Sequence, residues 1–341
     1  MAEWLVEHGI GETRAALIEG DRILEARILA EGELIAGTIL EARLVARMPE
    51  RNQGIVEWPD GEALITPLPI GVTQGALTLV EITRPPTPEP GKPKRARARP
   101  APPTVRPELV EGLPFSFERL AGERQGFDKL SPNGRVVALH GPDRLAAAGW
   151  VELLEEAATG ALAFPGGALS IHLTPAMTLI DVDGILAPAQ LAVSGARAAA
   201  EAIRRLDIAG SIGIDLPHAG DKASRQAAAE AIDAGLSQPF ERTAVNGFGF
   251  VQIVRPRTRR SLPELFAMEP ALAHARALLR IAERTPGAGP RTLSAHPSVI
   301  AEINARPAWT TELARRIGAG IALRADAALT ISAGHVQAQH P

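Results

Sequence analysis

Two apolar runs of the chain end in carboxylates: Met177-Thr-Leu-Ile-Asp181-Val-Asp183-Gly184 and Ser211-Ile-Gly-Ile-Asp215-Leu216. Short apolar runs of this kind predict buried β-strands. Because side chains alternate between the two faces of a strand, Asp181 and Asp183 are expected on one face, roughly 6 to 7 Å apart. An Ala-rich segment predicts a helix between the runs, and this order favours two parallel neighbours whose carboxyl ends meet. The three acids are therefore expected at one edge of one sheet.

The segments around these runs predict an α/β (α+β) domain. The turn Pro165-Gly-Gly167 separates two short strands, so that the first acid-bearing strand completes an antiparallel meander. Helices are predicted near residues 188–207 and 221–235, and further strands near 242–246 and 248–255. Three antiparallel strands followed by alternating helix and strand form the layout of a ribonuclease H-like domain.

The N-terminal third predicts a smaller β-structure. A period-two pattern over residues 2–29 breaks at Glu19-Gly20-Asp21-Arg22, which predicts a hairpin. Residues 36–84 contain about five short strands, which favours a small barrel. Residues 85–107 are rich in Pro and Arg and nearly free of large apolar side chains, so an extended linker is expected there.

Helix signals also appear before and after the acid-bearing region. Residues 142–158 predict one helix with a leucine-rich face. In the tail, Pro297 marks a helix start and Gly318 lies just past a helix end. Strands at 320–325 and 328–332 follow, so a small C-terminal unit is predicted.

Composition limits the classes of partner. With 36 Lys and Arg against 39 Asp and Glu, the protein is not a global polycation, and any contact with nucleic acid must use local basic patches. The absence of cysteine excludes disulfides, a catalytic thiolate and a cysteine-based zinc site, and it fits a reducing, cytoplasmic compartment. No run reaches about 18 apolar residues, so no membrane partner is expected.

Three clustered carboxylates are typical of magnesium and phosphate chemistry. Mg²⁺ prefers a few carboxylates, several waters and the phosphate oxygens of a substrate. Asp181, Asp183 and Asp215 therefore suit a site that polarises a phosphodiester and lowers the pKa of a bound water. A structural alternative stays open, in which Asp183 belongs to a strand-ending turn and Asp215 caps a helix.

The first acid-bearing run also resembles the first motif of haloacid dehalogenase-type phosphatases. That resemblance implies that Asp181 is a phosphoryl-accepting nucleophile and that Asp183 is a general acid. The fit is partial, because Ile185 stands where that family has Thr and because the motif lies in mid-chain.

Two basic clusters are candidates for binding a nucleic-acid backbone. The first directly follows a predicted strand and suits several phosphates of one strand; it consists of Arg255, Arg257, Arg259 and Arg260. The second can add salt-sensitive attraction or simply keep the linker soluble; it consists of Lys92, Lys94, Arg95, Arg97 and Arg99. Among the aromatic residues, Trp58 lies next to a turn of the predicted barrel and is a candidate platform for base stacking.

Residues 166–265 resemble the catalytic domain of the ribonuclease E/G family. The resemblance rests on the order and spacing of five segments: Gly166-Gly167-Ala-Leu-Ser-Ile, Ala176-Met177-Thr178-Leu-Ile-Asp181-Val-Asp183, Ile214-Asp215-Leu216, Thr243-Ala-Val245-Asn246-Gly247-Phe248 and Arg255-Pro-Arg257-Thr258-Arg259. The first 84 residues are similar to the start of that family, and residues 290–335 are similar to its small C-terminal domain.

The resemblance implies a domain plan. A ribonuclease H-like/DNase I-like catalytic domain would span residues 108–268, and residues 1–35 would supply its first strands. An OB-type RNA-binding barrel would be inserted at residues 36–84, before the linker at 85–107. A small C-terminal domain would span residues 269–341.

The resemblance also implies a function. Asp181 and Asp215 would hold the Mg²⁺ ion, or a Mn²⁺ ion, that activates water to cut single-stranded RNA and leave 5′-phosphates. Asp183 stands at the position of the family's asparagine, and Asn246 joins the arginines among the expected RNA contacts.

Three departures from the family narrow these expectations. No cysteine pair follows Glu264-Leu265, so neither zinc nor a zinc-linked dimer is expected, and the oligomeric state stays open. The segment between the linker and residue 140 is much shorter than the family's sensor for 5′-monophosphate ends. Ile55 and Leu64 replace the barrel's stacking aromatics, which weakens base binding by about 1 to 3 kcal/mol for each lost stack. A relative that binds RNA without cutting it is therefore the alternative prediction.

Overall fold

The computed structural model describes residues 2–86, 94–101, 141–218 and 220–340, together with the backbone of residues 135–136. Its described strands form a four-stranded sheet, a closed five-stranded barrel, a six-stranded sheet and a three-stranded sheet. Helices pack beside them, so the chain is mixed α/β, as the sequence predicts. The expected counterpart of the 5′-end sensor lies almost entirely outside the described residues.

The N-terminal strands form a sheet of their own. They are β1 (Glu3–His8), β2 (Glu12–Glu19) and β3 (Arg22–Ala30), and β9 (Arg135–Val136) adds to β1 in parallel. The predicted hairpin joins β2 to β3, where Gly20 supplies a φ of +60°. The described strands of this sheet are separate from the sheet that carries the acids, although Leu5, Ala16 and Ile28 share its hydrophobic core. The assignment of residues 1–35 to the ribonuclease H-like domain stays a prediction.

Five strands close into a barrel, as predicted. They are β4 (Ile39–Met48), β5 (Gln53–Trp58), β6 (Gly61–Ile65), β7 (Leu77–Arg84) and β8 (Ala96–Pro100). The linker prediction is wrong for β8. A period-two pattern is hidden in its basic composition, because Ala96 and Ala98 are buried in the barrel while Arg97 and Arg99 are exposed.

The six-stranded sheet carries both acid-bearing runs. Its strands are β10 (Ala161–Phe164), β11 (Gly167–Leu173), β12 (Thr178–Gly184), β13 (Gly210–Asp215), β14 (Glu241–Arg242) and β15 (Phe250–Arg255). Their order across the sheet is β10-β11-β12-β13-β15-β14, and β12 and β13 are parallel. The meander of β10, β11 and β12 and the later alternation of helix and strand agree with the sequence prediction.

Helices cover one face of this sheet. They are α1 (Arg144–Ala147), α2 (Trp150–Thr159), α3 (Pro188–Arg205), α4 (Lys222–Gly235) and α5 (Leu262–Met268). Helix α3 lies directly on β12, since a Cβ atom added at Gly195 would come within 2.3 Å of the Val182 side chain. The small side chains of α3 permit this close approach. Helix α3 also contacts β3, and Arg204 donates to Glu25 at 2.7 Å, so the helix is shared by two sheets.

One helix prediction needs correction. The helix predicted for residues 142–158 is divided into α1 and α2, because Gly149 adopts a φ of +89° between them. No helix in the described ranges is both long enough and apolar enough to cross a membrane.

The C-terminal part packs a small sheet against helices. Its elements are α6 (Pro270–Arg284), β16 (Ala288–Ala295), α7 (Pro297–Asn304), α8 (Pro307–Ile317), β17 (Ile321–Ala325) and β18 (His335–His340). Pro297 begins α7, and Gly318 caps α8 with a φ of +65°, as predicted. The strand predicted at residues 328–332 is wrong. Asp326 Oδ1 accepts the N–H of Ala328 at 3.0 Å and begins a turn-rich stretch instead.

A buried ion network fixes the C-terminal part to the N-terminal sheet. The Glu7 carboxylate accepts hydrogen bonds from Arg14, Arg280 and Arg284 at 2.8, 2.8 and 2.7 Å. Burial alone would raise the pKa of Glu7, but the three guanidinium groups hold it below its usual value. Glu7 therefore stays ionised inside the protein and joins helix α6 to strands β1 and β2.

Candidate functional site

The acids lie on the face of the six-stranded sheet that points away from α3. Thr178, Ile180 and Val182 of β12 point toward α3 and are buried. The intervening residues point the other way; among them Asp181 is half-buried and Asp183 is exposed. We call this second side of β11, β12, β13 and β15 the open face.

The strand register brings the acids together. Asp181 of β12 lies directly opposite Asp215 of its parallel neighbour β13. Adjacent strands are about 4.7 to 4.9 Å apart, so the two carboxylates begin from neighbouring positions on the same face. Asp183 lies two residues further along β12 on that face. We call this end of the sheet, with Asp181, Asp183 and Asp215, the acid edge.

The acids at this edge repel one another. Partial burial raises the pKa of Asp181, and the charges of Asp183 and Asp215 raise it further. His172 of β11 stands opposite Leu179, two residues before Asp181, and lowers the pKa of Asp181 in part. Because Asp183 and Asp215 contribute to this rise after burial, a cation bound between the carboxylates would relieve their repulsion.

The donor chemistry of the acid edge fits a hydrated Mg²⁺ ion. Such an ion takes one or two carboxylates from a protein and keeps several waters. Asp181 and Asp215 supply that pair, and Asp183 is the next donor along the strand. Within the described ranges, no three His, Asp or Glu side chains are already gathered around one metal position. The fit therefore rests on two carboxylates of neighbouring strands and not on a complete ligand cage.

A tight turn stands beside Asp215. The side-chain oxygen of Asn246 accepts the N–H groups of Phe248 and Phe250 at 2.9 and 3.0 Å. Gly249, with a φ of +93°, accepts the N–H of Leu216 at 3.3 Å through its carbonyl. Asn246, predicted as an RNA contact, thus uses its amide oxygen to shape the turn.

Phe248 at the tip of this turn is a residue that the site prediction missed. Its side chain is 86% exposed. The sequence signal was Asn-Gly-Phe-Gly over residues 246–249, because an apolar residue between turn-forming residues is held at the surface.

The predicted arginine cluster lies at the opposite end of the sheet. In the antiparallel pair of β13 and β15, Arg255 stands opposite Gly210, whereas Phe250 stands opposite Asp215. The five-residue separation along β13 corresponds to about 17 Å. The Arg255 side chain donates to the carbonyl of Ile208 at 2.7 Å. We call this end of the sheet, with Arg255, Arg257, Arg259 and Arg260, the arginine edge.

The other arginines at this edge bind carboxylates of the chain itself. Arg257 pairs with Glu264, and Arg259, which is 4% exposed, pairs with Asp207. Arg260 donates to Glu33 at 2.8 Å and to Glu269 at 2.7 Å. Arg257, Arg259 and Arg260 are thus engaged in internal ion pairs, and the whole cluster lies away from the acids, so its role in holding phosphates of an RNA strand stays a prediction.

Trp58, Lys94 and Arg95, three of the predicted contacts of the barrel, line cavities. A cavity of about 1100 Å³ lies between the barrel, the N-terminal sheet and α8, and Trp58, Lys94 and Arg95 are among its lining residues. It also contains several carboxylates, and Arg95 pairs with one of them, Glu62. A smaller cavity of about 250 Å³ is lined by both Lys94 and Arg257, the latter at the arginine edge. These predicted contacts are therefore separated from the acid edge.

Comparison with known proteins adds no assignment. No protein-family model matches the chain, and no curated protein matches it. A functional hypothesis must therefore rest on the motifs and on the geometry of the acid edge.

Proposed function

We propose that this protein is a magnesium-dependent endoribonuclease that cuts single-stranded RNA at the acid edge. The observation that carries the proposal is the register of β12 and β13, in which Asp181 and Asp215 are direct neighbours on the open face. Paired carboxylates of this kind suit Mg²⁺ and phosphodiester hydrolysis. The resemblance to the ribonuclease E/G motifs supports the same reaction and the 5′-phosphate product.

Each acid has a role in this proposal. Asp181 and Asp215 hold the ion, for which Mn²⁺ can substitute. When bound, the ion lowers the pKa of its water and neutralises charge on the scissile phosphate. Asp183 accepts a hydrogen bond from the attacking water and orients it, or it takes a further position on the ion.

The open face suits a single strand better than a duplex. Exposed apolar side chains stand at this end of the sheet, at Phe248 and Ile185. The bases of a single strand are free to contact such side chains, whereas those of a duplex are already stacked. A more distant part of the RNA would contact the barrel through Trp58, Lys94, Arg95 and Arg97.

A second candidate is an RNA-binding protein that does not cut. The observation that favours it is the mutual repulsion of the acids, to which Asp183 adds a charge where the ribonuclease E/G family has asparagine. The arginines of the arginine edge lie at the other end of the sheet and do not offset that charge. An acid edge that binds its ion weakly would repel the phosphate that it should cleave.

A cleavage assay separates the two candidates. An end-labelled unstructured RNA is incubated with wild type, Asp181→Ala, Asp215→Ala and the exposed control Glu230→Gln, in Mg²⁺ or in chelator. We expect cleavage by wild type and Glu230→Gln in Mg²⁺ only, with 5′-phosphate ends, and none by the other two variants. Equal cleavage by all four proteins, or RNA binding by wild type without cleavage, would contradict the enzyme proposal.

The same proteins test the phosphatase alternative. If Asp181 is a phosphoryl-accepting nucleophile, wild type will release phosphate from small phosphomonoesters and will leave internal RNA bonds intact. We expect the reverse pattern.

A further inference from the structure

Two fully exposed apolar side chains flank the acid edge. Ile185, which follows β12, is 94% exposed, and Phe248, which precedes β15, is 86% exposed. In the order β12-β13-β15, the strand of Asp215 lies between them. A ligand that covers such side chains removes apolar area from water, and these two lie on either side of the candidate site.

The turn that carries Phe248 is firmly held. Two hydrogen bonds from backbone N–H groups reach the Asn246 side chain, and the Gly249 N–H donates to the Asn246 carbonyl at 3.2 Å. A Cβ atom added at Gly249 would lie 2.1 Å from the Leu216 carbonyl oxygen, so the turn is in close contact with the residue after Asp215. The ring is therefore presented from a fixed backbone beside the acid edge, which lowers the entropy cost of binding.

A second aromatic residue, Phe250, lies beside Asp215 on the sheet. Phe250 lies over Gly213, because a Cβ atom added there would come within 2.6 Å of the Phe250 ring. Phe250 is half-buried and stands opposite Asp215 in the register. Phe248 stands two residues before Phe250 in the chain and is the more exposed of the two rings.

We infer that Phe248 stacks on an unpaired nucleobase of RNA and thereby positions the strand at the acid edge. The inference rests on the proposed function, since it assumes that RNA lies along this edge. Flat aromatic rings bind any base through its π-face, so Phe248 favours single-stranded over double-stranded RNA without selecting a sequence. Phe248 is a positioning residue, because it does not touch the scissile phosphate.

The test measures binding in chelator, where the proposed cleavage cannot occur. Wild type, Phe248→Ala, Phe248→Trp and the control Val151→Ala, which alters an exposed apolar residue on α2, are titrated with an unstructured 12-nucleotide RNA. We expect Phe248→Ala to weaken binding about tenfold, and we expect Phe248→Trp and the control to bind like wild type. Equal binding by Phe248→Ala and wild type would overturn the inference.

A series of abasic RNAs makes the test specific. Each RNA lacks one base, and the position of the missing base moves along the strand. We expect one position at which wild type loses about tenfold in affinity and Phe248→Ala loses nothing further, because the partner of the ring is already absent. Additive losses at every position, or an equal loss of duplex binding in Phe248→Ala, would contradict base stacking.

The outcomes separate this inference from the proposed activity. If the binding data in chelator show base stacking and no cleavage occurs in Mg²⁺, the enzyme proposal is wrong and Phe248 is still an RNA contact. Cleavage in Mg²⁺ without a stacking signature would leave the enzyme and remove the inference. Sedimentation of the same variants must show unchanged mass, because a change caused by Phe248→Ala would assign the ring to contacts between copies of the chain and overturn the inference.

Discussion

The two ends of the six-stranded sheet differ in whether their charged side chains have partners of opposite charge. At the arginine edge, guanidinium groups bind acceptors of the chain itself, as in the pairs Arg257–Glu264 and Arg259–Asp207. At the acid edge, partial burial raises the pKa of Asp181, and the neighbouring carboxylates of Asp183 and Asp215 raise it further. Ion pairs between opposite charges hold parts of the fold together. Neighbouring like charges lower the stability of the folded protein and are typical of sites that bind a counter-ion.

The arginine edge also joins distant parts of the chain. Arg260 reaches Glu33, and the N–H of Ala36 donates to the carbonyl of Thr258 at 2.8 Å. These contacts hold the segment between the N-terminal sheet and the barrel against the part of the chain that follows β15 of the six-stranded sheet. Changes at the two edges should therefore differ in kind, with loss of stability at one and loss of ion and RNA binding at the other.

Removal of a compensated charge should have the largest effect on stability. Arg259→Ala deletes a guanidinium that is 4% exposed and leaves Asp207 without this partner. We expect the free energy of unfolding to fall by about 3 to 5 kcal/mol. Urea denaturation measures the change, and Arg315→Ala at an exposed ion pair on α8 is the control, for which a much smaller change is expected. Equal, small changes in both variants would contradict the structural role of the arginine edge.

Glu7 extends the comparison to a compensated acid. Its folded pKa is lowered, so the stability that it contributes is present above its unfolded pKa of about 4.5 and is lost as the pH falls through the lower, folded value. Glu7→Gln should lower the free energy of unfolding by about 2 kcal/mol at pH 7, and the difference from wild type should shrink at acid pH. Urea denaturation across the range from pH 7 to pH 3 measures this trend. A constant difference between the two proteins at every pH would disagree with the lowered pKa.

Asp181 should give the opposite trend. Its folded pKa is raised, so the wild type loses stability as the pH rises through the unfolded pKa of about 3.8 toward the folded value. Asp181→Asn lacks this loss, and its stability relative to wild type should therefore increase with pH over that window and then stay constant. Chelator must be present in these unfolding measurements, because a bound cation would mask the repulsion. A relative stability that falls with pH would show that Asp181 is compensated after all.

Mg²⁺ should stabilise the acid edge by a small amount. At an ion concentration of about ten times Kd, binding adds about 1.4 kcal/mol, which corresponds to a rise in Tm of a few degrees for a chain of this size. Wild type should show that rise, and Asp181→Ala and Asp215→Ala should not. An equal rise in all three proteins would place the ion elsewhere.

Asp183→Asn should change stability less than the other substitutions, and the direction of the change tests whether this carboxylate is needed at the site. The substitution removes one of the repelling charges and introduces the residue type that the ribonuclease E/G family has at the position that Asp183 resembles. We expect stability to rise by about 0.5 kcal/mol and RNA binding to improve a few-fold at low salt. Weaker RNA binding or a loss of proposed cleavage in Asp183→Asn would instead show that this carboxylate is needed at the site.

The local patterns of the sequence predict the acid edge but not the arginine edge. Asp181 and Asp183 share a face because strands have a period of two, and Asp215 joins them because a strand–helix–strand unit makes neighbours parallel. The partners of the arginines depend on tertiary structure, since Glu33 lies 227 residues before Arg260. No local pattern distinguishes an arginine that binds phosphate from one that binds such a distant carboxylate.

The errors in the fold prediction have similar causes. Strand β8 was hidden because its Pro- and Arg-rich composition suggested a linker, although Ala96 and Ala98 alternate correctly for a barrel strand. The strand predicted at residues 328–332 failed because a turn beginning at Asp326 outweighed a short apolar run. Phe248 had a local signal in Asn-Gly-Phe-Gly, but its place beside Asp215 depends on the pairing of β13 with β15, which that signal does not contain.

Anomalous diffraction from a crystal soaked in Mn²⁺ tests the central claim most directly. We predict one strong peak at the acid edge, at about 2.0 to 2.2 Å from a carboxylate oxygen of Asp181 and from one of Asp215. The same soak of Asp215→Ala crystals should lack that peak. A wild-type crystal with well-ordered acids and Mn²⁺ bound only elsewhere would contradict the account.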